Sequence, residues 1–252
     1  MPTSLNDRQQ RIKEQLEIHG EIRMNDMKTM FAVTEMTIRR DLEKLEQAGI
    51  LRRTFGGAIL LGKDIALKDR TGLRADEKAS IGRTAAALIQ AGEYIFIDGG
   101  TTTIEVARAL KPGLGITVVT NALNVANELQ EKRIPTILSG GMILEATSTV
   151  IGPFAENMIG SMAYSRVFLG TTGLSAEHGF SNSNMYEAEI KKTAIRQASE
   201  VNVLMDHTKF GAKDFISFAE LGHVHRVITD KLPAAELNKA CKKAGIELVL
   251  GT

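Results

Sequence analysis

Residues 34–58, TEMTIRRDLEKLEQAGILRRTFGGA, decide the architecture of the N-terminal part of the chain. Thr34 suits a helix N-cap, and apolar residues then recur at every third or fourth position, which predicts an amphipathic helix from Thr34 to Ala48. The following hydrophobic runs flank Gly56 and Gly57, and this pattern indicates a β-hairpin. The stretch therefore predicts a helix that buries one face, followed by a short two-stranded wing.

Two shorter helices are predicted upstream of this stretch. The first is expected to begin at an Asp7 cap and to end at Gly20. The second is expected over 25–31 with Asn25 as its cap, and no strand is expected before Ile50. Two short helices joined by a tight turn, the second carrying hydroxyl and cationic side chains outward, form a helix-turn-helix. With the hairpin, the prediction is a winged helix-turn-helix.

The polar side chains of this unit admit two interpretations. They are either an ordinary solvated surface, balanced by Asp41, Glu43 and Glu46, or a DNA-contacting face; scattered charges alone usually indicate the former, whereas the helix-turn-helix spacing and the basic wing favour the latter. The candidate DNA-contacting residues are Thr34, Glu35, Met36, Thr37, Arg39, Arg40 and Lys44 on the helix, with Arg52 and Arg53 on the wing.

Composition narrows the protein class. The chain has 252 residues, 43% hydrophobic and 24% charged, so it has enough apolar surface for a core and is not intrinsically disordered. Its net charge of +1 excludes a uniformly basic nucleic-acid binder, and the single Cys241 excludes internal disulfides and a cysteine-rich metal site. No run approaches the about 18 apolar residues of a membrane span, and the first residues are too polar for a signal peptide. We expect a cytoplasmic protein without membrane contact, metal or cofactor.

The C-terminal part alternates short β-branched runs with amphipathic stretches, which predicts βα units and a mostly parallel sheet. The seven runs are YIFID, GITVVT, PTILSGG, RVFLG, VNVLMD, HRVITD and IELVL. We therefore predict an α/β chain of two domains, a small winged helix-turn-helix over 1–61 and a larger α/β domain over 76–252, joined by a linker over 62–75.

The clearest site pattern is YIFIDGGTTTIEVARAL, over 94–110. A buried strand ends at Asp98, two glycines and three threonines follow, and a helix begins near Thr103. Glycines allow close backbone approach, and N–H groups with hydroxyls suit a phosphate, although an ordinary βα turn with a threonine cap has the same pattern. Asp98 would repel a phosphate, so its predicted tasks are sugar hydroxyls or pairing with a lysine.

Four more polar loops follow predicted strands, and the carboxyl edge of an open α/β sheet is where ligands bind. Lys209 could supply a cation there, and Glu187 and Glu189 begin a helix near the same edge. Ordinary surface ion pairs would explain these three residues equally well.

Residues 34–58 resemble the signature of the DeoR family of bacterial transcriptional regulators, with its Thr-Ile-Arg-Arg-Asp-Leu block and Gly-Gly-Ala wing. The blocks DGGTTTIEVA, VVTNALNVANEL, SGG, FLGTTGL, EAEIKKTAI and DHTKFG are similar to the family's sensor domain, whose fold is related to ribose-5-phosphate isomerases and CoA transferases. The resemblance implies effector-binding positions at Asp98, Gly99, Gly100, Thr101, Thr102, Thr103, Gly140, Gly141, Glu187, Asp206 and Lys209.

The resemblance implies a repressor of a carbohydrate-utilisation operon that a phosphorylated sugar releases from double-stranded operator DNA. Because one winged helix buries little area on DNA, we expect a homo-oligomer, a dimer or higher. The alternative is an enzyme, a sugar-phosphate isomerase or lactonase with an attached DNA-binding segment, in which Asp98, Glu187 and Lys209 transfer protons. A fused DNA-binding unit favours the regulator, so we expect no catalytic residues.

Overall fold

A computed structural model describes residues 5–19, 21–48, 50–54, 56–60 and 73–252. The chain divides into two compact units, Met1–Leu73 and Arg74–Thr252. Most of the linker expected over 62–75 lies outside the described residues. No helix among the described residues is long and apolar enough to cross a membrane.

The N-terminal unit contains three helices and three strands. They are α1 (Asp7–His19), β1 (Glu21–Arg23), α2 (Met24–Phe31), α3 (Glu35–Gln47), β2 (Leu51–Thr54) and β3 (Gly57–Leu60). The strands form an antiparallel sheet in the order β1-β3-β2. The predicted winged helix-turn-helix is confirmed, but the expectation of no strand before Ile50 is wrong, because β1 pairs with the far strand of the wing.

Two helix starts differ from the prediction. Asn6, not Asp7, caps α1: its Oδ1 accepts from the Gln9 N–H at 2.9 Å, and Gln9 Oε1 accepts from the Asn6 N–H at 3.2 Å. The predicted Asn25 cap of α2 is also wrong. That helix begins at Met24, whose N–H donates to the Gly56 carbonyl at 2.7 Å, so the wing provides an acceptor for its first turn.

The helices and the wing of this unit share one hydrophobic core. Its fully buried members are Ile12, Leu16, Met27, Ile38, Leu42, Leu45, Leu51 and Ala58. A buried carboxylate adds a polar link, since Asp41 on α3 accepts from Arg8 Nε at 2.5 Å and from Gln9 Nε2 at 3.0 Å. These bonds fix the orientation of α3 relative to α1.

The C-terminal unit contains the remaining elements. They are α4 (Ala75–Ala86), β4 (Tyr94–Ile97), α5 (Ile104–Ala109), β5 (Thr117–Thr120), α6 (Leu123–Glu131), β6 (Thr136–Leu138), β7 (Met142–Leu144), β8 (Thr149–Ile151), α7 (Pro153–Gly160), β9 (Tyr164–Gly170), β10 (Gly173–Ser175), β11 (Gly179–Asn182), α8 (Met185–Arg196), β12 (Ala198–Leu204), β13 (Ile216–Ala219), β14 (Arg226–Thr229), α9 (Ala235–Lys243) and β15 (Glu247–Leu250).

Seven of these strands form one parallel sheet in the order β15-β14-β12-β9-β4-β5-β6. They are the seven strands predicted from the β-branched runs, so the α/β class is confirmed. Alternate residues of the strands face two hydrophobic clusters: Phe96 lies in one, and Ile95 and Ile97 lie in the other. The sheet is therefore covered on both faces.

The strand order places a switch point at the centre of this sheet. From β4 the chain adds β5 and β6 on one side, and it then returns to add β9, β12, β14 and β15 on the other. In open α/β sheets, ligands bind at the carboxyl edge where the order reverses. Here that place lies between the ends of β4 and β9, next to Asp98 and Gly170.

Candidate functional site

The outward face of α3 is the candidate DNA-contacting surface. The helix begins as predicted, because Thr34 Oγ1 accepts from the Thr37 N–H at 3.4 Å and lies 3.0 Å from Thr37 Oγ1. Ile38 on the opposite face is fully buried, whereas Met36 and Arg40 are exposed. Burial of the apolar stripe thus leaves the predicted polar residues in solvent.

Two of the predicted cations are already paired with carboxylates. Arg39 donates to Glu35 Oε1 from Nε at 2.9 Å and from Nη2 at 2.7 Å. Arg53 donates to Glu46 from its backbone N–H at 2.8 Å and from Nε at 2.7 Å. The hydrogen bond and charge of Glu46 raise the pKa of the Arg53 guanidinium. In both arginines, the positive charge is therefore exposed to solvent but partly balanced by a neighbouring glutamate.

The other predicted cations differ from these two. Arg40 and Lys44 are exposed, and neither forms a hydrogen bond or ion pair with any residue that the structure describes. Arg52 lies in β2 opposite Ile59, and its side chain is outside the described part of the chain. Arg40 and Lys44 are thus the described cations of α3 that are available to a phosphate without breaking an existing pair.

The second region is the switch point, where Asp98 is held by an ion pair. Its Oδ2 accepts from the Gly170 N–H at 3.1 Å and from Lys191 Nζ, and Lys191 also donates to the Gly170 carbonyl at 2.9 Å. Both side chains are 3% exposed. Burial raises the pKa of Asp98, and the Lys191 charge opposes this rise. The pairing with a lysine that was predicted for Asp98 is present.

The turn after Asp98 leaves backbone donors unused. The N–H groups of residues 99–103 form no hydrogen bond with any described residue, and the hydroxyl of Thr102 forms none either. Thr103 is fully buried, and its Oγ1 donates to the Gly100 carbonyl at 3.3 Å. A Cβ at Gly99 would lie 2.2 Å from Thr149 Cγ2, so this position requires glycine. The turn therefore has a run of N–H groups without a partner among the described residues, and its role as an anion site stays a prediction.

Glu187 lies beside this turn. Its Oε1 accepts from Thr149 Oγ1 at 3.1 Å, and its Oε2 accepts from Asn182 Nδ2 at 2.9 Å. Asn184 caps α8 by accepting from the Glu187 N–H at 3.2 Å. Because Lys191 is one helical turn after Glu187, the first half of α8 directs a carboxylate and an ammonium toward the switch point.

The remaining predicted residues do not join this cluster. Asp206 accepts from the Thr208 N–H at 3.0 Å. Burial raises the pKa of Asp206, but the charges of Lys209 and Arg74 and the hydrogen bonds from Thr208 lower it more, so the net direction is downward. No hydrogen bond or ion pair between described residues connects Asp206 or Lys209 with Asp98. They follow β12, which is two strand spacings from β4, or about 10 Å.

The predicted glycine turn after β6 contains Gly140 and Gly141, and close packing requires glycine at the second of them. Gly141 has φ +144°, and a Cβ there would lie 2.7 Å from the Ile151 carbonyl oxygen. Gly140 is exposed, and no described atom lies within 4 Å of the Cβ it would carry. The structure thus explains Gly141 by its approach to β8, whereas it shows no contact that requires glycine at 140.

Sequence reasoning missed several polar residues at the same edge. Lys191 is the main one, and Thr149 and Asn182 are others; the four-residue spacing from Glu187 was the available signal for Lys191. Asn121 Oδ1 and Ser139 Oγ, at the ends of β5 and β6, are buried without a hydrogen-bond partner among the described atoms. In the described part of the chain, no group of three or more His, Cys, Asp or Glu side chains is placed to hold a metal ion.

Comparisons with known proteins agree with this architecture. The family model for the DeoR-like helix-turn-helix domain matches residues 8–63, and the model for the DeoR C terminal sensor domain matches residues 73–231. The uncharacterized HTH-type transcriptional regulator YulB of Bacillus subtilis is 36% identical over 228 residues, 89% of this chain and 88% of that protein. The putative aga operon transcriptional repressor of Escherichia coli O157:H7 is 29% identical over 98% of this chain and 94% of that protein.

Among solved structures, ribose 5-phosphate isomerase A of Methanocaldococcus jannaschii matches 54% of each chain with a TM-score of 0.41 and 15% identity. The two family models cover both units of the chain, and the sequence relatives span nearly its full length. The chain belongs to the DeoR family of transcriptional regulators.

Proposed function

We propose that this protein is a cytoplasmic repressor that binds operator DNA as a homo-oligomer and leaves it when a phosphorylated sugar binds the C-terminal unit. The operator controls a carbohydrate-utilisation operon in this proposal. The observation that carries it is the turn over 99–103, whose free N–H groups lie at the switch point of a domain that matches a sensor family. The sequence relatives named as repressors give further support.

The DNA contact is assigned to α3 and the wing. Arg40 and Met36 lie opposite the buried stripe and enter the major groove, with Thr34 and Thr37 near the phosphates at the helix N-terminus. Lys44, Arg52 and Arg53 bind the backbone from either side. Replacing Arg39 and Arg40 together with alanine is expected to abolish operator binding with only a small change in melting temperature, because both side chains are exposed and the Glu35–Arg39 pair contributes little to stability.

The effector contact is assigned to the turn and its surroundings. Consecutive N–H donors and the Thr102 hydroxyl bind the phosphate, while Lys209 approaches from the end of β12. The sugar hydroxyls lie toward the polar side chains that follow β5 and β6. The isomerase alternative has less support, since the Asp98–Lys191 ion pair and the two hydrogen bonds of Glu187 occupy the groups that would have to move protons.

The response requires a thermodynamic link between the two units. A ligand shifts a conformational equilibrium only if its affinities for the two states differ, and the effect is reciprocal. Operator DNA must therefore weaken effector binding by the same factor by which the effector weakens DNA binding. Each tenfold in that factor corresponds to about 1.4 kcal/mol.

A thermal-shift screen identifies the effector. The panel contains pentose, hexose and polyol phosphates, the same compounds without phosphate, and inorganic phosphate. A true effector at 100 times its dissociation constant adds about 2.7 kcal/mol to the free energy of unfolding. Stabilisation by an unphosphorylated compound alone would refute the assignment of the turn to a phosphate.

Two variants then test the site, using a duplex selected by the protein from a randomised library. Thr102→Phe and Lys209→Glu are expected to keep wild-type affinity for that duplex and to lose the release caused by the effector. Normal release by both variants would exclude this position for the phosphate. Light scattering of the free protein and its DNA complex tests the oligomer, and a monomer in both would contradict it.

A further inference from the structure

The flank of α3 that faces the wing carries two glutamates, and each binds an arginine: Glu35 binds Arg39 of the same helix, and Glu46 binds Arg53 of β2. Glu35, Arg39 and Glu46 are four and seven residues apart, so they lie on one side of the helix. Glu46 binds both the backbone and the guanidinium of Arg53, which places the wing on that side. We name these four residues, Glu35, Arg39, Glu46 and Arg53, the guarded flank.

The central face of the same helix differs. Arg40 and Glu43 are both exposed, and neither forms a hydrogen bond or ion pair with a residue that the structure describes. Arg40 and Glu43 thus lie beside two arginine–glutamate pairs without a hydrogen-bonded partner among the described residues, and the charge of Glu43 acts only weakly on Arg53. A solvated surface with random pairing has no reason to sort its charges in this way, with both pairs on the side of the wing.

We propose that Glu35 and Glu46 determine specificity by restraining Arg39 and Arg53 from binding phosphates on non-operator DNA. This proposal rests on the assignment of α3 and the wing to DNA. Sequence-independent binding comes almost entirely from phosphate contacts and counterion release. On any duplex, a phosphate that takes Arg39 must displace Glu35 and leave an uncompensated carboxylate beside the DNA backbone.

The same carboxylates weaken operator binding less. On an operator, hydrogen bonds to base edges hold the helix in one register, and base contacts carry the discrimination. In that register the base contacts do not depend on Arg39 or Arg53, so the guarded flank removes little affinity at the operator and more at sequences that offer phosphate contacts alone. The difference between operator and non-operator affinity increases as a result.

The test uses a labelled duplex of random sequence, so it requires no knowledge of the operator. Glu35→Gln and Glu46→Gln each remove a negative charge and keep the shape, and the glutamine amide oxygen can still accept from the Arg53 backbone N–H. Freeing one arginine adds about one phosphate contact, so the slope of log affinity against log salt should steepen by about 0.9 in each variant, with affinity rising about eightfold at 0.1 M salt.

Glu43→Gln is the matched control. It removes the same charge from the same helix but breaks no hydrogen-bonded pair, so it reports the general electrostatic effect, including the weaker attraction between Glu43 and Arg53. The proposal expects a clearly larger increase for Glu35→Gln and Glu46→Gln than for Glu43→Gln. Equal increases in the three variants would overturn it. If Glu46→Gln disturbs the wing, Glu35→Gln decides alone, because Glu35 makes no bond with the wing among the described residues.

Arg40→Ala separates this proposal from the one on which it rests. Weaker binding of the random duplex by Arg40→Ala supports the assignment of α3 to DNA, and equal increases in the glutamine variants then refute the guarded flank alone. Unchanged binding by Arg40→Ala would refute the α3 assignment and the guarded flank together.

Discussion

The guarded flank and the switch point are built from the same kinds of group, but in different surroundings. On α3, the side chains of Arg39 and Glu35 are 55% and 45% exposed. At the switch point, those of Lys191 and Asp98 are both 3% exposed. Water screens the first pair and stabilises either partner alone, whereas the second pair has no such substitute. An exposed pair can therefore exchange partners with a DNA phosphate, and a buried pair fixes the frame around a ligand.

The largest expected effect is the loss of the buried ammonium. Lys191→Met leaves the Asp98 carboxylate buried without its partner, which costs about 3 to 5 kcal/mol of the free energy of unfolding. Urea denaturation of the full chain measures this loss for the C-terminal unit.

The neighbouring lysine is the matched control for that experiment. Lys192 pairs with Glu189 at 2.8 Å, with side chains 32% and 39% exposed. Lys192→Met is expected to change stability by less than about 1 kcal/mol. Similar losses for the two variants would mean that burial does not distinguish the pairs.

The second prediction concerns the turn itself. Gly99→Ala places a methyl group against Thr149 Cγ2, and overpacking of this kind costs about 1 to 3 kcal/mol. Thr149→Ser removes the opposing methyl group and keeps the hydroxyl that donates to Glu187, so Gly99→Ala with Thr149→Ser should recover part of the loss. A double-mutant cycle by thermal unfolding gives the coupling energy. Additive losses would show that the contact does not require glycine at this position.

The strands of the two units also show what the sequence can and cannot predict. The seven strands of the parallel sheet were predictable because long β-branched runs are typical of strands buried on both faces. The strand β1 was not predictable, because it depends on pairing with residues 57–59 of β3, and local composition does not indicate so distant a partner.

The same limit applies to the candidate site. The turn over 99–103 was predictable because glycines and threonines after a strand have a local meaning. For Lys191 the sequence offers only its four-residue spacing from Glu187, and the packing of α8 is needed to show that its ammonium group, and not that of Lys192, is buried. The ion pairs of Arg39 and Arg53 were not predictable from the sequence for the same reason. They depend on helix spacing together with the geometry of the wing.

The third prediction concerns Glu200, a carboxylate of intermediate exposure that lies between two arginines near the amino ends of β9, β12 and β14. Glu200, whose side chain is 25% exposed, lies 3.4 Å from Arg166 Nε and 2.6 Å from Arg226 Nη1. Burial raises the pKa of Glu200, but Asn202 and the two arginines lower it further, so the net direction is downward. A carboxyl with a lowered folded-state pKa stabilises the protein above its unfolded pKa, about 4.3, and loses this contribution as the pH falls through the folded value.

Glu200→Gln should therefore cost about 1 kcal/mol near neutral pH. The difference from wild type should shrink as the pH falls below about 4. Denaturant titrations at a series of pH values check this. A difference that stays constant with pH would mean that the charge of Glu200 contributes nothing to stability.

The smallest expected effect sharpens the comparison most. Glu35→Gln breaks an exposed i,i+4 pair and removes a negative charge from the first turn of α3, so a loss of about 0.3 to 0.5 kcal/mol is expected. Salt at about 1 M, where the Debye length is about 3 Å, should remove most of this difference, whereas the loss in Lys191→Met should persist because the buried pair is poorly screened. Thermal unfolding at low and high salt measures both. If Glu35→Gln instead lost more than about 1 kcal/mol at high salt, the Glu35–Arg39 pair would be structural, and it could not exchange with phosphates in the way that the guarded flank requires.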